Sequence, residues 1–375
     1  MPTYQTPLRD MRFAYSELFN PADIQALPGF EEVNHELVET ILEEAGKFCE
    51  NVLQPLNRSG DEEGCHFDNG TVTTPTGFKE AYQAYCENGW GALTTNPQYG
   101  GQGLPNTVGT MVEEIICATN MSFGMYPGLT HGAYNAIEHY GTEAMKELYL
   151  PKMVEGVWSG TMCLTEPHCG TDLGLLRTKA GPQADGSYRI TGTKIFISSG
   201  EHDLTENIVH LVLARLPDAP AGIKGISLFL VPKFLVNADA SLGERNAAVC
   251  GAIEHKMGIK ASSTCVMNFD AATGYLVGTP NKGLGVGMQG LGISEVAYQN
   301  AVVYAKERLQ GRSLKGAVQP DKPADPLVVH PDIRRMLLTM RAYTEGNRML
   351  AVWMARQLDI SLHATDLVQK QTAED

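Results

Sequence analysis

Residues 161–172 read TMCLTEPHCGTD. Thr165, Glu166 and Pro167 place a hydroxyl, an acid and a rigid turn side by side, and Gly170, Thr171 and Asp172 follow at once. Such a loop presents a hydroxyl and several backbone N–H groups to one side. It reads equally well as a connector between two kinds of structure, because the patterning differs on its two flanks. Cys163, His168 and Cys169 do not match zinc-ligand spacings and no second ligand pair lies nearby, so no metal site is expected. The chain also lacks the G-x-S-x-G elbow of a serine hydrolase.

Upstream the pattern is helical. Between Glu31 and Leu56, Val33, Leu37, Val38, Ile41, Leu42, Ala45, Phe48 and Val52 recur at three- and four-residue steps and predict one buried helix face. Val108, Met111, Val112, Ile115 and Ile116 repeat the habit over 105–118, and the Gly/Pro/Asn-rich stretch 89–105 predicts an ordered loop. Downstream, residues 186–198 (GSYRITGTKIFIS) alternate after an Asp185-Gly186 turn. Residues 207–216, 225–233 and 265–270 are short apolar runs bounded by turn residues and predict further strands. The segments between them are too short for crossover helices, so a barrel or sandwich is expected and a doubly wound parallel sheet is not.

Helix returns after Gly292. Val296, Ala297, Ala301, Val303 and Tyr304 can share a face running to Arg308. Past a Pro-rich break, Pro331 suits a first helical turn. Ile333, Met336, Leu337, Met340, Leu350, Trp353, Met354 and Leu358 then mark a long buried helix. The fold class is α+β and multi-domain, divided as 1–159, 160–277 and 278–375.

Of 375 residues, 43% are hydrophobic and 19% charged, a globular composition. The net charge is -14 and there is no dense Lys/Arg block, which disfavours a nucleic-acid role. The opening MPTYQTPLRD lacks the apolar core of a signal peptide, and no run reaches the ~18 apolar residues of a membrane span. Eight scattered cysteines without C-x-x-C point to free thiols in a reduced, cytoplasmic setting.

Gly285-Val286-Gly287-Met288-Gln289-Gly290 fits G-x-G-x-x-G, and Glu307 falls where a ribose-binding acid would sit. The context fails. The nearest strand candidate, Tyr275–Val277, is separated from Gly285 by GTPNKGL, and Glu307 lies within a helical pattern. No NAD site is expected here.

Several blocks together resemble one family. TMCLTEPHCGTD is similar to the first flavin motif of the acyl-CoA dehydrogenases, and GTKIFISSGEHD (192–203) to their second. NPQYGGQGLP, YGTEAMKELYLPKMVEG and YAKERLQGR resemble further family blocks in the same order. EPHCGTDLGLLRTKA and HKMGIKASSTCVMNF resemble the family's larger subgroup, which includes the 3-methylmercaptopropionyl-CoA dehydrogenases. The resemblance implies an N-terminal helical domain, a central β-barrel and a C-terminal helical bundle, with FAD as cofactor. Thr165 matches the threonine that contacts the flavin ring, with Met162, Cys163 and Leu164 contributing backbone along it. Gly170 and Thr171 match a Gly-Ser pair, and Thr171 is also expected near substrate. Phe196 takes the aromatic position beside the flavin, and Ser198 a Thr/Ser position near N5. Arg308 matches the arginine that binds the FAD pyrophosphate across a subunit interface, where its planar fork can hold phosphate oxygens bidentately.

Two departures accompany the resemblance. The family's C-terminal portion, which in most members carries the catalytic glutamate, has no counterpart after Leu358. The helix leading to YAKER is also short by roughly three turns. The pieces Lys282-Gly283-Leu284 and GMQG read as joined across lost structure, with a backbone break expected near Gly285. No catalytic base is therefore assigned. Glu295 does not match the catalytic position and reads as a surface or interface glutamate.

The implied function is α,β-dehydrogenation of an acyl-CoA in fatty-acid β-oxidation. Electrons would pass to an electron-transfer flavoprotein, from a homodimer or higher homo-oligomer. The alternatives are an acyl-CoA oxidase, a non-catalytic flavoprotein of the DNA-damage-response branch (against which the acidic balance argues), and an inactive truncated paralogue.

Overall fold

The computed structural model describes residues 4–279 and 290–374. Residues 285–289 of the G-x-G-x-x-G stretch, and the break expected near Gly285, lie outside the described residues. Among the described residues the chain opens with the α-helices α1 (Leu8–Arg12), α2 (Ala22–Gln25), α3 (His35–Phe48), α4 (Gln54–Glu63), α5 (Phe78–Glu87), α6 (Asn106–Thr119), α7 (Met121–Tyr140) and α8 (Glu143–Val154). A hairpin of β1 (His66–Asp68) and β2 (Thr71–Thr73) lies between α4 and α5. After α8 come β3 (Trp158–Cys163), β4 (Lys179–Pro182), β5 (Tyr188–Ser198), β6 (Asn207–Arg215), β7 (Ile226–Pro232), β8 (Phe234–Val236), β9 (Leu242–Arg245), β10 (Ala248–Ile253) and β11 (Thr264–Val277). The chain closes with α9 (Gly290–Glu307), α10 (Pro331–His363) and α11 (Leu367–Glu374). Helices, strands, then helices is the order expected.

Two compact units form, each discontinuous in sequence. One takes Met1–Pro55, Leu104–Met121 and Gly287–Asp375; the other takes Leu56–Gly103 and Ser122–Val286.

The second unit is built on a closed ring of strands. β11 pairs with β5, β5 with β4, β4 with β6, β6 with β7, and β7 returns to β11. β10 and β3 extend the ring as outer strands on β11 and β6. The inside holds Cys163, Ile190, Ile197, Val212, Phe229 and Met267. The outside of β6 and β7 packs under α7 and α8 through Ile137, Leu150, Trp158, Leu211 and Leu230. β6 is buried on both faces, which is why it reads as a continuous apolar run. Residues 265–270 and 275–277 are ends of one 14-residue strand, β11, whose pairing with β5 is broken by bulges. β10 was not foreseen, because Ala248–Ile253 is short and Gly-containing.

In the first unit two expected faces turn out otherwise. On α10 the buried positions are Thr344, Arg348, Ala351, Val352, Ala355, Asp359 and Ile360. Met336, Leu350, Trp353, Met354 and Leu358, expected inside, are each 45–56% exposed. The buried stripe is polar because its charges are paired. Arg348 donates to Glu114 of α6 at 2.6 Å and to Glu295 of α9 at 2.5 Å. Asp359 accepts from the backbone N–H groups of Asn106 and Thr107 and from both their side chains, which caps α6. On α9, Val303 and Tyr304 are exposed and Glu295 is buried. Glu295 is therefore a structural ion-pair residue and not a surface glutamate: the guanidinium of Arg348 draws it inward.

Candidate functional site

β3 runs into the TMCLTEPHCGTD loop, and the loop folds around Glu166. Glu166 and Cys169 exchange backbone hydrogen bonds at 2.8 and 3.0 Å, leaving Pro167 and His168 at the tip of a tight turn. The Glu166 carboxylate is 4% exposed. It accepts from the N–H groups of Arg177 and Thr178, the Thr178 hydroxyl, and the Lys194 ammonium at 2.9 Å. Burial alone would raise its pKa, but these donors outweigh burial and hold it at about 2. Lys194 is fully buried, and desolvation pulls its pKa below the usual lysine range despite Glu166. This buried pair was not singled out from sequence. The signal was the β5 alternation itself, which puts a lysine in line with inward-facing Ile190.

The far end of β5 is deformed. β4 pairs with β5 only over Tyr188–Thr191. Opposite β11, Cys265 faces Ile197 while Met267 faces Lys194, so β5 carries one extra residue between them. Phe196 sits at this bulge with φ of +58°, and Ser199 follows with φ of +56°. A non-glycine residue in this region is strained, and such bulges re-aim side chains. The Phe196 ring is 57% exposed as a result.

The two segments lie edge to edge. The Ile195 N–H donates to the Thr165 carbonyl at 2.9 Å, and Lys194 Nζ donates to the Leu164 carbonyl at 3.0 Å. The Thr161 hydroxyl donates to the Ser198 carbonyl at 2.5 Å. Met162, Leu164, Thr165, Phe196 and Ser198 thus meet along one seam. Cys163 belongs to the barrel interior, which leaves its backbone as the part available outside. Gly170 packs on Thr165: a Cβ there would lie 3.3 Å from the threonine methyl. Thr171 follows in the exposed part of the loop. Among the described residues, the hydroxyls of Thr165, Thr171 and Ser198 have no hydrogen-bond partner. An exposed aromatic face, unpaired hydroxyls and a free backbone edge fit a flat ring with polar margins. Arg308 lies just past α9 in the other unit, exposed, its N–H bonded to Tyr304 and its carbonyl to Leu327.

Glu166, His168 and Cys169 bring one ligand atom each within 4.8 Å of one another. Glu166 already satisfies four donors, one of them an ammonium, so the trio is poorly suited to a cation.

Two histidines are buried, His210 on β6 and His202 in the segment between β5 and β6. His202 Nδ1 accepts from the Leu204 N–H at 3.2 Å, so Nε2 carries the proton and donates to Ser159 Oγ at 3.0 Å. Neither ring nitrogen of His210 has a partner among the described residues. Burial, helped by the Lys233 charge for His202 and by Arg245 and Lys233 for His210, pushes both down to about 3.

Family models describing the "Acyl-CoA dehydrogenase, N-terminal domain" and "Acyl-CoA dehydrogenase, middle domain" match residues 35–157 and 161–272. The short-chain specific acyl-CoA dehydrogenase of Clostridium acetobutylicum is 31% identical over 298 residues, covering 74% of this chain and 70% of that protein. The chain belongs to the acyl-CoA dehydrogenase family. Within that family, the 3-methylmercaptopropionyl-CoA dehydrogenase of Ruegeria pomeroyi is 47% identical over 376 residues. That match covers 97% of this chain but only 63% of the relative's length. The butyryl-CoA dehydrogenase structure from Megasphaera elsdenii superposes with a TM-score of 0.70 at 26% identity, covering 87% of this chain and 80% of that one. Among the described residues, no helix is long and apolar enough to cross a membrane.

Proposed function

We propose that this protein is an FAD-dependent enzyme that desaturates an acyl-CoA thioester between its α and β carbons. The observation that carries the reading is the seam. Two segments that resemble the family's flavin motifs lie side by side, joined by the Thr161–Ser198 hydrogen bond and with Phe196 exposed; among the described residues the Thr165, Thr171 and Ser198 hydroxyls have no partner. When bound, FAD supplies the hydride acceptor, and the redox chemistry is the cofactor's own. The protein's part is placement. The backbone of Met162, Cys163 and Leu164 lines one margin, Thr165 and Ser198 offer hydroxyls to polar ring atoms, and Phe196 packs beside the ring. Thr171 is placed for the cofactor and the nearby substrate. Arg308 is assigned to the pyrophosphate of a partner copy's cofactor, which makes a homodimer or larger homo-oligomer part of the proposal. No acid in this chain is assigned as the base. The electron acceptor is an electron-transfer flavoprotein, the process fatty-acid β-oxidation and the compartment the cytoplasm. The 47% identity to a 3-methylmercaptopropionyl-CoA dehydrogenase favours short thioesters, methylthio-acyl ones included, as first substrates to try.

The test is anaerobic titration of the full-length, FAD-loaded protein with a series of acyl-CoAs. Bleaching of the visible flavin band by at least one of them is the expected result. A flavin-loaded protein that none of them bleaches overturns the proposal. Turnover that consumes oxygen and yields peroxide redirects it to an acyl-CoA oxidase.

A further inference from the structure

β5 has an unusual second half. Beyond Thr191 it has no β4 partner, and the edge left free faces β3 and its loop. Among the described residues four hydrogen bonds cross that gap. Three are made by Lys194 and Ile195: to the Leu164 carbonyl, the Glu166 carboxylate and the Thr165 carbonyl. The two from Lys194 precede the bulge, and the one from Ile195 lies at its start. Past it, at the strained Phe196–Ser199 turn, the crossing bond is the one from the Thr161 hydroxyl to the Ser198 carbonyl.

Thr161 is fully buried on β3, two residues from Cys163, and is held from behind by its register with His210 of β6. Its hydroxyl is buried, and an unbonded hydroxyl is costly there. A β-branched side chain has few rotamers, so this donor is aimed in advance. The bond ties Ser198 to the strand that carries Met162 and Cys163. The width of the seam at its far end therefore depends on a side chain outside both sets of expected cofactor residues.

We propose that Thr161 is a positioning residue for the flavin: its hydroxyl holds the Ser198 end of β5 against β3, and so sets how the Phe196 ring and the Ser198 hydroxyl meet the cofactor. This rests on the flavin reading above. The strained backbone at Phe196 and Ser199 is held on its other side by the residue that leads into β11: the Ser199 N–H donates to the Ser263 carbonyl at 2.8 Å. Thr161 supplies the opposing hold.

The experiment compares Thr161→Val, which keeps the shape and removes the donor, with Thr161→Ser, which keeps the donor. Hydrogen–deuterium exchange on the flavin-free full-length proteins reads the hold itself. Amides 195–199 should exchange about tenfold faster in the valine variant than in wild type, as expected for one lost hydrogen bond, with serine close to wild type. Unchanged exchange in the valine variant overturns the proposal, whether or not FAD binds. On the FAD-loaded proteins, the visible absorption and circular-dichroism envelope of the flavin should shift in the valine variant and return in the serine one. FAD affinity should fall about tenfold in the valine variant. Faster exchange with an unaltered flavin spectrum and affinity reduces Thr161 to a structural residue and also overturns the proposal. If the valine variant does not fold, Thr161→Ala against Thr161→Ser isolates the hydroxyl by the same readouts. A wild-type protein that takes up no FAD would sink the flavin reading instead, and exchange alone would then judge the Thr161 hold.

Discussion

Removing one half of the Glu166–Lys194 pair should destabilise the protein unequally, depending on which half is removed. The Glu166 carboxylate has four donors, and only one of them is Lys194. Lys194→Met leaves three donors in place, so its cost should fall at the low end for breaking a buried pair, about 3 kcal/mol. Lys194 has two acceptors, Glu166 and the Leu164 carbonyl, and is fully buried. Glu166→Gln strands that ammonium and should cost nearer the upper end, about 5 kcal/mol. The pH dependence gives an independent estimate. Glu166 is held at about 2 against an ordinary 4.5. At 1.36 kcal/mol per pKa unit this is about 3 kcal/mol of stability. The folded pKa is depressed, so that stability is present above pH 4.5 and is lost as pH falls from there toward 2. Lys194 shifts the opposite way for its type, since burial disfavours its charged form. The net worth of the pair is therefore smaller than the carboxylate's share alone. Equilibrium urea unfolding of both single variants and the Lys194→Met/Glu166→Gln double variant is the assay. The double should lose less than the sum of the singles, because neither charge is then left alone. Equal losses, or losses below about 1 kcal/mol, would refute the account of the pair as buried and asymmetrically satisfied.

Acid should destabilise the barrel through His202 and His210. Both are held near 3, below the ordinary 6.5, so stability is full above pH 6.5 and falls as pH drops toward 3. At pH 5 each contributes a loss of about 2 kcal/mol, and an unfolding midpoint that stays put between pH 7 and 5 would contradict this. Asp359→Ala removes the buried cap from α6 and leaves its donors unmet, so a loss of about 2 kcal/mol is expected, read by the chemical unfolding midpoint. Ile259 carries φ of +55°, unusual for a β-branched residue. Ile259→Asn should raise stability by about 1 kcal/mol, and a lowered melting temperature would show that its packing outweighs the strain.

The sequence was most informative where a local pattern answers to a local cause. Alternation located β5, and short apolar runs bounded by turn residues located β6 and β7, which are buried on both faces. The spacing of Val108, Met111, Val112 and Ile115 located α6 because that face is apolar and buried. Family-like wording at 161–172 and 192–203 pointed to the two segments that the fold lays together. Tertiary structure decided the rest. Only the three-dimensional fold shows that Arg348, Glu114 and Glu295 satisfy one another, which turns a polar stripe of α10 inward and leaves Leu350 and Met354 outside. Hydrophobic periodicity misses this, because it counts charges as exposed and cannot see their partners. The same holds for Lys194 with Glu166 and for Thr161 with Ser198. Each pair is at least 28 residues apart in sequence, and hydrogen bonds over such distances follow from strand order and a bulge, neither of which a one-dimensional pattern records.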